Sequence, residues 1–216
     1  MPEKSSIQRI IKRAFDLAAA AVILIVLLPL ILLISAAVWI FMGRPIIYTQ
    51  PRLGYLGKPF TILKFRTMAE IQDEQGRRLP DEQRLTPLGK FLRNTTLDEI
   101  PELVNVLRGE MSVVGPRPLL VDYRDLYTEE QARRHLVRPG MAGPVLASGR
   151  NALTWEEKFR LDVSYVDRWS LGLDFKILLQ SLIMVLKREG VSAEGHATMP
   201  RFMGSKNQSG DSVDGE

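Results

Sequence analysis

The chain has no cysteine and only two histidines, His135 and His196, among its 216 residues. Disulfides and thiolate zinc sites are therefore excluded, and the absence of cysteine fits a domain that faces the cytoplasm. The two histidines are too far apart in sequence to form a local pair of metal ligands. Any bound metal is expected to have oxygen ligands, which favours Mg²⁺, with Mn²⁺ as the alternative.

The long apolar run from Leu17 to Met42 contains no charged residue and has Pro29 near its middle. As one continuous helix this run would measure roughly 39 Å, more than the ~30 Å hydrocarbon core of a bilayer. Pro29 removes a backbone donor and clashes with the carbonyl four residues earlier, so we expect it to kink the helix. A kinked segment can return to the side from which it entered. A tilted spanning helix with a tolerated proline is the alternative.

Basic residues on both flanks of the run favour the re-entrant interpretation. Those before it are Lys4, Arg9, Lys12 and Arg13, and those after it are Arg44, Arg52, Lys58, Lys64 and Arg66. Because basic residues mark the cytoplasmic flank of a membrane segment, both ends are predicted to lie on the same side. The run is too long for the core of a signal peptide, and no A-x-A-type cleavage site follows it. We therefore expect a membrane anchor over residues 1–43.

One compact domain is expected over residues 44–204, because its length suffices for a single core and no internal repeat is visible. Residues 205–216 are rich in Gly, Ser and Asp without apolar periodicity, which is typical of a disordered tail. The predicted fold class is α/β, mostly helical with short strands.

Local signals place the main elements of this domain. Short apolar runs over 46–50 and 60–67 predict a hairpin around Gly54–Gly57. Capping patterns predict helix starts at Thr86, Thr128 and Thr154. A long amphipathic helix is predicted over 170–187, ending at Gly190, and its apolar face either packs on the domain or lies in a membrane interface.

The segment from Leu97 to Gly109 has apolar residues at helical spacing and predicts one helix that begins near Asp98 and Glu99. Free N–H groups and the positive end of the helix dipole stabilise anions there, including phosphate and a carboxylate kept ionised near neutral pH. An ionised aspartate is a competent nucleophile. The same pair could instead only complement the helix dipole, and spacing alone leaves both alternatives open.

Two arginines accompany this acidic pair. Arg93 lies five residues before Asp98, and Arg117 lies between Pro116 and Pro118. The two prolines restrict the backbone around Arg117, and the planar guanidinium suits phosphate oxygens, although a surface salt bridge is the alternative. The net charge of +4 and the pI near 9.4 fit an anionic partner, either the leaflet surface, a nucleotide diphosphate or nucleic acid.

Several motifs stand out together in the chain. They are Lys64-Phe65-Arg66-Thr67-Met68, Leu97-Asp98-Glu99-Ile100-Pro101-Glu102-Leu103, Val114-Gly115-Pro116-Arg117-Pro118, Arg138-Pro139-Gly140, Gly149-Arg150-Asn151 and Trp155-Glu156-Glu157-Lys158-Phe159. This set resembles the signature of the bacterial sugar transferases, the monotopic phosphoglycosyl transferases, and the likeness extends from Lys12 to about Gly204. The chain is most similar in layout to the small members of that family. The resemblance implies a re-entrant helix broken at a proline, which matches Pro29, in a bacterial inner-membrane protein whose catalytic domain lies on the cytoplasmic face.

The resemblance also implies a mechanism. Asp98 would attack the β-phosphate of a UDP-sugar, expel UMP and carry the phosphosugar as an acyl phosphate. Polyprenyl phosphate, undecaprenyl phosphate in bacteria, would then accept the phosphosugar, with Glu99 acting as a base or helping to hold Mg²⁺. Asp98 and Glu99 are thus the implied catalytic residues and metal ligands. The implied substrate-binding residues are Lys64, Arg93, Arg117, Arg138 and Arg150.

One segment departs from the family pattern. Between Met141 and Arg150 the chain lacks the usual asparagine-glycine-arginine turn and has Pro144 instead, which leaves the nucleotide and sugar contacts of this loop open. The 191–204 segment is similar to small members that act in protein glycosylation. The implied donor is therefore a UDP-linked N-acetylated amino sugar.

Two other function classes are compatible with the chain. A glycosyltransferase would pass only the sugar to polyprenyl phosphate and release UDP instead of UMP. A membrane-tethered basic module would recruit anionic partners without any need of Asp98. The chain has no recognisable nucleic-acid motif or aromatic stacking cluster, so nucleic acid is not an expected partner.

Overall fold

The computed structural model describes residues 6–148, 153–187 and 201–204. The α-helices within these residues are α1 (Ser6–Val26), α2 (Leu28–Met42), α3 (Asp81–Arg84), α4 (Pro87–Asn94), α5 (Glu102–Arg108), α6 (Glu129–Ala132), α7 (Pro144–Ala147), α8 (Trp155–Arg168) and α9 (Leu171–Lys187). The strands are β1 (Ile47–Leu53), β2 (Pro59–Phe65), β3 (Ser112–Val114) and β4 (Gly140–Ala142). The described chain is thus mostly helical with short strands, as predicted, and is compatible with the α/β class.

The apolar run forms two helices that meet at an angle of 64°. The break lies at Leu27, and Pro29 occupies the first turn of α2, where its missing N–H costs no hydrogen bond. The kink at Pro29 is therefore confirmed. Among the described helices, no single one is long and apolar enough to cross a membrane, but the bent pair meets that criterion by length and composition. A buried core helix or a signal sequence would meet the same criterion.

Both N-terminal helices share the main apolar core. Ala20, Ile34 and Val38 are buried in the same cluster as residues of β2, α5, β3 and α8. The outward faces of α1 and α2 nevertheless carry many exposed apolar side chains. These are Ile7, Ile10, Ile11, Phe15, Leu17, Val22, Ile23, Ile25, Val26, Leu28, Leu32, Leu33, Trp39, Ile40 and Phe41. The boundary at residue 43 stays a prediction, and the predicted tail, 205–216, lies outside the described residues.

Two small sheets follow the helix pair. β1 and β2 form the predicted antiparallel hairpin, with the register running from Ile47 opposite Phe65 to Leu53 opposite Pro59. β3 and β4 pair in parallel. At the end of β3, the backbones of Gly115 and Gly140 approach so closely that a β-carbon on Gly140 would collide with Gly115. This close approach fixes the chain immediately before Arg117.

The predicted helix caps are confirmed. The hydroxyls of Thr86, Thr128 and Thr154 each accept a hydrogen bond from the backbone N–H three residues later. Thr128 and Thr154 form complete capping boxes, with Gln131 and Glu157 as the reciprocal partners. These local signals were sufficient because the donor and the acceptor lie within one turn of each other.

The long helix α9 begins at Leu171, one residue after the predicted start at Ser170. Its buried side contains Asp174, Ile177 and Ser181, whereas its other side exposes four large apolar residues. These are Phe175, Leu179, Leu182 and Ile183. One face of α9 therefore packs on the domain, while much of the predicted apolar face stays uncovered. The predicted stop at Gly190 lies outside the described residues.

The single helix predicted from Leu97 to Gly109 is wrong. Residues Leu97–Glu99 form a 3₁₀ turn, and α5 begins only at Glu102, after Pro101. Pro101 has no N–H with which to continue a helix from Leu97, so the chain breaks there. Asp98 and Glu99 consequently precede α5 instead of forming its first turn.

Candidate active site

The strand β2 is held against α5 by the side chain of Asn105, which is fully buried. Its Oδ1 accepts a hydrogen bond from the N–H of Leu63 (3.1 Å), and its Nδ2 donates to the carbonyl of Thr61 (2.7 Å). These bonds fix the register between the two elements. Lys64, the next residue of β2, is thereby placed beside the carboxylates at the start of α5.

Glu99 lies between two cations. Lys64 Nζ donates to Glu99 Oε1 at 2.6 Å, and the Arg117 guanidinium donates to both oxygens of the same carboxylate, with 3.4 Å between Nη1 and Oε2. Burial opposes the charge on Glu99, but Arg117 and then Lys64 outweigh it and hold the pKa of Glu99 well below its usual range. The Arg117 side chain is 46% exposed. It can therefore hold Glu99 and still face an incoming anion.

Asp98 has a different environment from its neighbour. The residue is 8% exposed, and within the described part of the chain its carboxylate has no hydrogen bond or ion pair. Burial, and then the charge of Glu99, raise the pKa of Asp98 to about 6, while Lys64, Arg117 and Arg93 oppose the rise. The predicted helix N-terminus is not at Asp98, because this residue precedes α5, and burial together with a like charge raises its pKa instead. A pKa of about 6 is compatible with an ionised carboxylate near neutral pH.

The turn that carries both carboxylates is strained. Thr96, which precedes it, has φ 60° and ψ 13° and lies in the left-handed region. This conformation is unfavourable for a β-branched residue and costs on the order of 1–3 kcal/mol. The carbonyl of Thr96 accepts a hydrogen bond from the N–H of Glu99 at 3.2 Å. The strain is therefore located at the point that orients Asp98 and Glu99.

Glu102 is a member of the site that sequence reasoning missed. It is 1% exposed, and its Oε1 lies 3.1 Å from Lys64 Nζ. Burial and then the negative charge of Glu99 raise the pKa of Glu102 to about 7, against the opposing charge of Lys64. The sequence signal that could have identified Glu102 was its place in the motif from Leu97 to Leu103, which also contains Asp98 and Glu99.

Two further arginines lie around the acidic group. Arg93, in the last turn of α4, donates from Nε to Thr67 Oγ1 at 3.0 Å, and its charge acts on Asp98. Arg52 on β1 was not predicted as a site residue. Burial and then the nearby charge of Arg117 lower the pKa of Arg52. The structure thus brings Lys64, Arg93 and Arg117 together around Asp98, with Arg52 beside them.

Of the two remaining predicted substrate-binding residues, Arg138 is not in this group. Arg138 Nε donates to the carbonyl of Gly109 at 2.8 Å, and its guanidinium packs over the ring of Tyr55. This position is at the C-terminal end of α5, about 10 Å along the helix from Glu102 at ~1.5 Å per residue. Arg150 lies outside the described residues. The substrate-binding roles of Arg138 and Arg150 stay predictions.

The carboxylates of Asp98 and Glu99 suit a metal that needs few protein ligands. No group of three or more His, Cys, Asp or Glu side chains is placed to hold a metal within the ranges that the structure describes. Both oxygens of Glu99 already accept bonds from cations. Mg²⁺ needs only one or two carboxylates when phosphate oxygens and water complete its shell. The open carboxylate of Asp98, with Glu99 beside it, fits that arrangement.

Comparison with known proteins identifies the class of the molecule. A family model for bacterial sugar transferases matches residues 7–188. The chain belongs to the bacterial sugar transferase family and is an enzyme, a transferase. The resemblance found in the sequence is thereby confirmed.

Individual relatives make the likeness more specific. The chain is 52% identical over 196 residues to the uncharacterized sugar transferase EpsL of Bacillus subtilis (strain 168), covering 91% of this chain and 97% of the relative. It is 38% identical to the exopolysaccharide production protein ExoY of Rhizobium meliloti (strain 1021), covering 83% and 87%. It is 36% identical over 184 residues to the UDP-glucose:undecaprenyl-phosphate glucose-1-phosphate transferase of Escherichia coli (strain K12). In that case 81% of this chain corresponds to 40% of the relative.

Proposed function

We propose that this transferase moves a phosphosugar from a UDP-sugar to polyprenyl phosphate, with UMP as the other product and an aspartyl-phosphosugar intermediate on Asp98. The observation that carries the proposal is the contrast between two adjacent buried carboxylates. Glu99 accepts bonds from Lys64 and Arg117, whereas Asp98 has no such bond among the described residues. Neighbouring acids whose pKa values are pushed apart in this way are typical of sites that divide catalytic roles.

In the first step, an oxygen of ionised Asp98 forms a bond to the β-phosphorus of the donor. The bond between that phosphorus and the bridging oxygen breaks, and UMP leaves with the bridging oxygen and its electron pair. Lys64, Arg93 and Arg117 bind the phosphate oxygens and offset the negative charge that would otherwise repel Asp98. Burial assists this step because a poorly hydrated carboxylate without hydrogen bonds is a better nucleophile than a hydrated one.

In the second step, a phosphate oxygen of polyprenyl phosphate attacks the same phosphorus. The acyl-phosphate bond breaks, and Asp98 returns to its free carboxylate form. The low pKa of Glu99 makes it a poor proton acceptor, because a base works best when its pKa is near the working pH. We therefore assign Glu99 chiefly to orienting Arg117 and Lys64 toward the phosphates.

We also propose that Mg²⁺, with Mn²⁺ as a substitute, takes part with Asp98 and Glu99 as its protein ligands. The bound cation would offset charge on the diphosphate and on the departing oxygen. The oxygen-only donor set of the site supports this assignment over zinc.

We propose further that α1 and α2 form a re-entrant anchor in the bacterial inner membrane, with the active site on the cytoplasmic face. The 64° bend, the exposed apolar side chains of the pair and the basic residues on both flanks support this arrangement. The uncovered apolar side of α9 supports contact with the same interface. Such a position suits an enzyme whose donor is soluble and whose acceptor phosphate lies at the headgroup plane.

We propose further which sugar is transferred and in which pathway. The E. coli relative is named for transfer of glucose 1-phosphate, and the Rhizobium relative for exopolysaccharide production. The sequence of the 191–204 segment resembles that of small members that act in protein glycosylation. This resemblance favours an N-acetylated amino sugar as the transferred sugar and protein glycosylation as the pathway. In either pathway the reaction would be the first membrane step of glycoconjugate assembly.

The test uses the full chain in lipid nanodiscs with undecaprenyl phosphate and a panel of UDP-sugars, N-acetylated and not. We expect one donor class to give UMP, and we expect acceptor-free enzyme to gain the mass of one phosphosugar on Asp98. Release of UDP would establish the glycosyltransferase alternative, and no nucleotide release from any donor would favour the recruitment module. Activity should disappear in EDTA and return with Mg²⁺ or Mn²⁺ but not with Zn²⁺.

A further inference from the structure

One turn of α1 contacts both segments that carry the site. Lys12, Arg13 and Asp16 lie within this turn, immediately before the apolar run begins. Asp16 is 2% exposed, although it lies on the same helix as the proposed anchor. A buried charge persists when its hydrogen bonds are satisfied. Lys12 Nζ lies 3.9 Å from Asp16 Oδ1 within the turn, and the turn's further bonds to described residues reach β3, α5 and α9.

The first contact is with β3, the strand that leads to Arg117. Asp16 Oδ2 accepts a hydrogen bond from the hydroxyl of Ser112 at 2.8 Å, and Asp16 Oδ1 accepts one from the N–H of Val113 at 3.1 Å. Lys12 Nζ donates to the carbonyl of Val114 at 3.1 Å. Each residue of this short strand is thus bonded to α1, and Arg117 follows three residues later.

The Lys12 ammonium is itself held in place. It lies 2.8 Å from Asp174 Oδ2, and Asp174 also accepts bonds from Tyr165 Oη (2.7 Å) and Trp169 Nε1 (3.1 Å). Tyr165 Oη lies 3.2 Å from the same Val114 carbonyl that Lys12 reaches. The carbonyl of Val114 is therefore bonded to Lys12 of α1, and Asp174 links that ammonium to Tyr165 of α8.

The second contact is with α5, the helix that follows the acidic turn. The Arg13 guanidinium donates to the carbonyls of Val106 (2.9 Å) and Leu107 (3.2 Å). These carbonyls lie in the last turn of α5, where a cation complements the negative end of the helix dipole. Because the other end of α5 carries Glu102 and follows Asp98 and Glu99, this bond fixes the position of the carboxylates relative to α1.

We propose that Asp16, supported by Lys12, is a positioning residue that sets where Arg117 stands relative to Asp98 and Glu99. The anchor helix is then part of the active-site frame and not only a tether. A shift of α1 would move β3 and α5 together, and with them the phosphate-binding arginine and the carboxylates. The inference rests on the phosphate-binding role given to Arg117 in the proposed function.

The test is a double-mutant cycle between Asp16→Asn and Arg117→Lys, measured as kcat/KM for the UDP-sugar per folded molecule. Asparagine keeps the size of the side chain but places an N–H donor against the hydroxyl of Ser112 or the N–H of Val113, which are themselves donors to Asp16. We expect Asp16→Asn to lower kcat/KM about tenfold in the native background and less than about threefold in the Arg117→Lys background, because contacting or coupled sites are non-additive. A purely structural role would give the same loss in both backgrounds, or no loss per folded molecule, and either result would overturn the proposal.

Two further variants keep the test decisive. If Asp16→Asn fails to fold, Ser112→Ala removes one donor to the same carboxylate and enters the same cycle. Thr128→Ala is the control for stability, since it loses an exposed helix cap at a cost of about 1 kcal/mol. The side-chain hydrogen bonds described for Thr128 lie within the cap of α6, so its kcat/KM should be unchanged. The cycle is scored on whichever nucleotide is released. Release of UDP would therefore refute the proposed reaction while the coupling between Asp16 and Arg117 is still measured.

Discussion

Glu99 accepts hydrogen bonds from both Lys64 and Arg117, whereas Asp98, the residue before it in the same 3₁₀ turn, accepts neither. The two residues are almost equally buried, at 7% and 8% exposure. Their different environments follow from the directions in which the two side chains point and not from how deeply they are buried, because successive side chains of a tight turn point in different directions. The cations neutralise one carboxylate and leave the other one open to a substrate.

The first prediction concerns the pH dependence of adduct formation. Because Asp98 must be ionised to attack and its pKa is raised to about 6, the single-turnover rate of UMP release without acceptor should rise with pH through about 6. It should level off above about pH 7. Rapid-quench measurements between pH 5 and 8, with folding checked at each pH, provide the test. A rate that is constant or falls over this range would contradict the assignment of Asp98.

The second prediction concerns the stability of Asp98→Asn. Below about pH 3 the carboxyl is protonated in both folded and unfolded chains, so the variant and the native protein should differ little. As the pH rises toward 6, the unfolded chain loses its proton first, and the free energy of unfolding of the native protein falls relative to the variant. The variant should therefore be more stable above pH 6, by about 3 kcal/mol.

Thermal unfolding midpoints between pH 4.5 and 8 measure this difference. Asp73→Asn is the matched control, because backbone and side-chain bonds from Arg77 lower the pKa of the half-buried Asp73. That variant should gain no stability as the pH rises. A variant at Asp98 that is less stable than the native protein at pH 8 would show that its charge is not a cost to folding.

The third prediction concerns Glu99→Gln. The charge of Glu99 is the second cause of the raised pKa of Asp98, after burial. Removing that charge should shift the pH midpoint of adduct formation below 6, while the adduct should pass to polyprenyl phosphate more slowly because Lys64 and Arg117 have lost their shared partner. Rapid-quench assays of both half-reactions measure the two effects.

The control for that variant is Glu110→Gln, which removes a carboxylate beyond the far end of α5, where it accepts a bond from Asn105. Its pH midpoint should match that of the native protein. A midpoint for Glu99→Gln above 6 would mean that the two carboxylates do not interact as described.

The fourth prediction concerns the strained turn. Glycine adopts the left-handed conformation of Thr96 without steric cost, so Thr96→Gly should raise the free energy of unfolding by about 1 kcal/mol. Thr95 has φ −98° and bonds the carbonyls of Phe91 and Leu92 through its hydroxyl, so Thr95→Gly should lower stability. Denaturant unfolding of the two variants compares them directly. Destabilisation in both would show that the strain at Thr96 is relieved by contacts of its side chain.

The fifth prediction concerns the anchor. Single cysteines at Ser6 and Lys58 should both react with a membrane-impermeant maleimide from the cytoplasmic side of inverted vesicles. In one straight helix Pro29 would be an interior residue and would cost about 3 kcal/mol, a penalty that Pro29→Leu removes, so the variant should straighten the helix pair and favour spanning. In that variant the Ser6 label should move to the opposite side. Opposite-sided labelling of the native protein would refute the re-entrant arrangement.

Local chemistry made much of the architecture predictable from the sequence alone. The caps at Thr86, Thr128 and Thr154, the hairpin around Gly54 and the kink at Pro29 all depend on groups within about one turn of each other. The family motifs also indicated Asp98, Glu99 and the three cations. The sequence did not reveal that Pro101 separates the acidic pair from α5, because apolar spacing continued across the proline and masked the break.

The tertiary structure alone decided which charges meet. Lys64 arrives from β2, Arg93 from α4 and Arg117 from the segment after β3, whereas Arg138, from an equally basic motif, lies at the other end of α5. The pKa of Asp98, the burial of Glu102 and the bonds from Asp16 to β3 likewise depend on groups far apart in the chain. Distance, burial and the direction of a side chain determine such interactions, and sequence spacing specifies none of the three across separate elements.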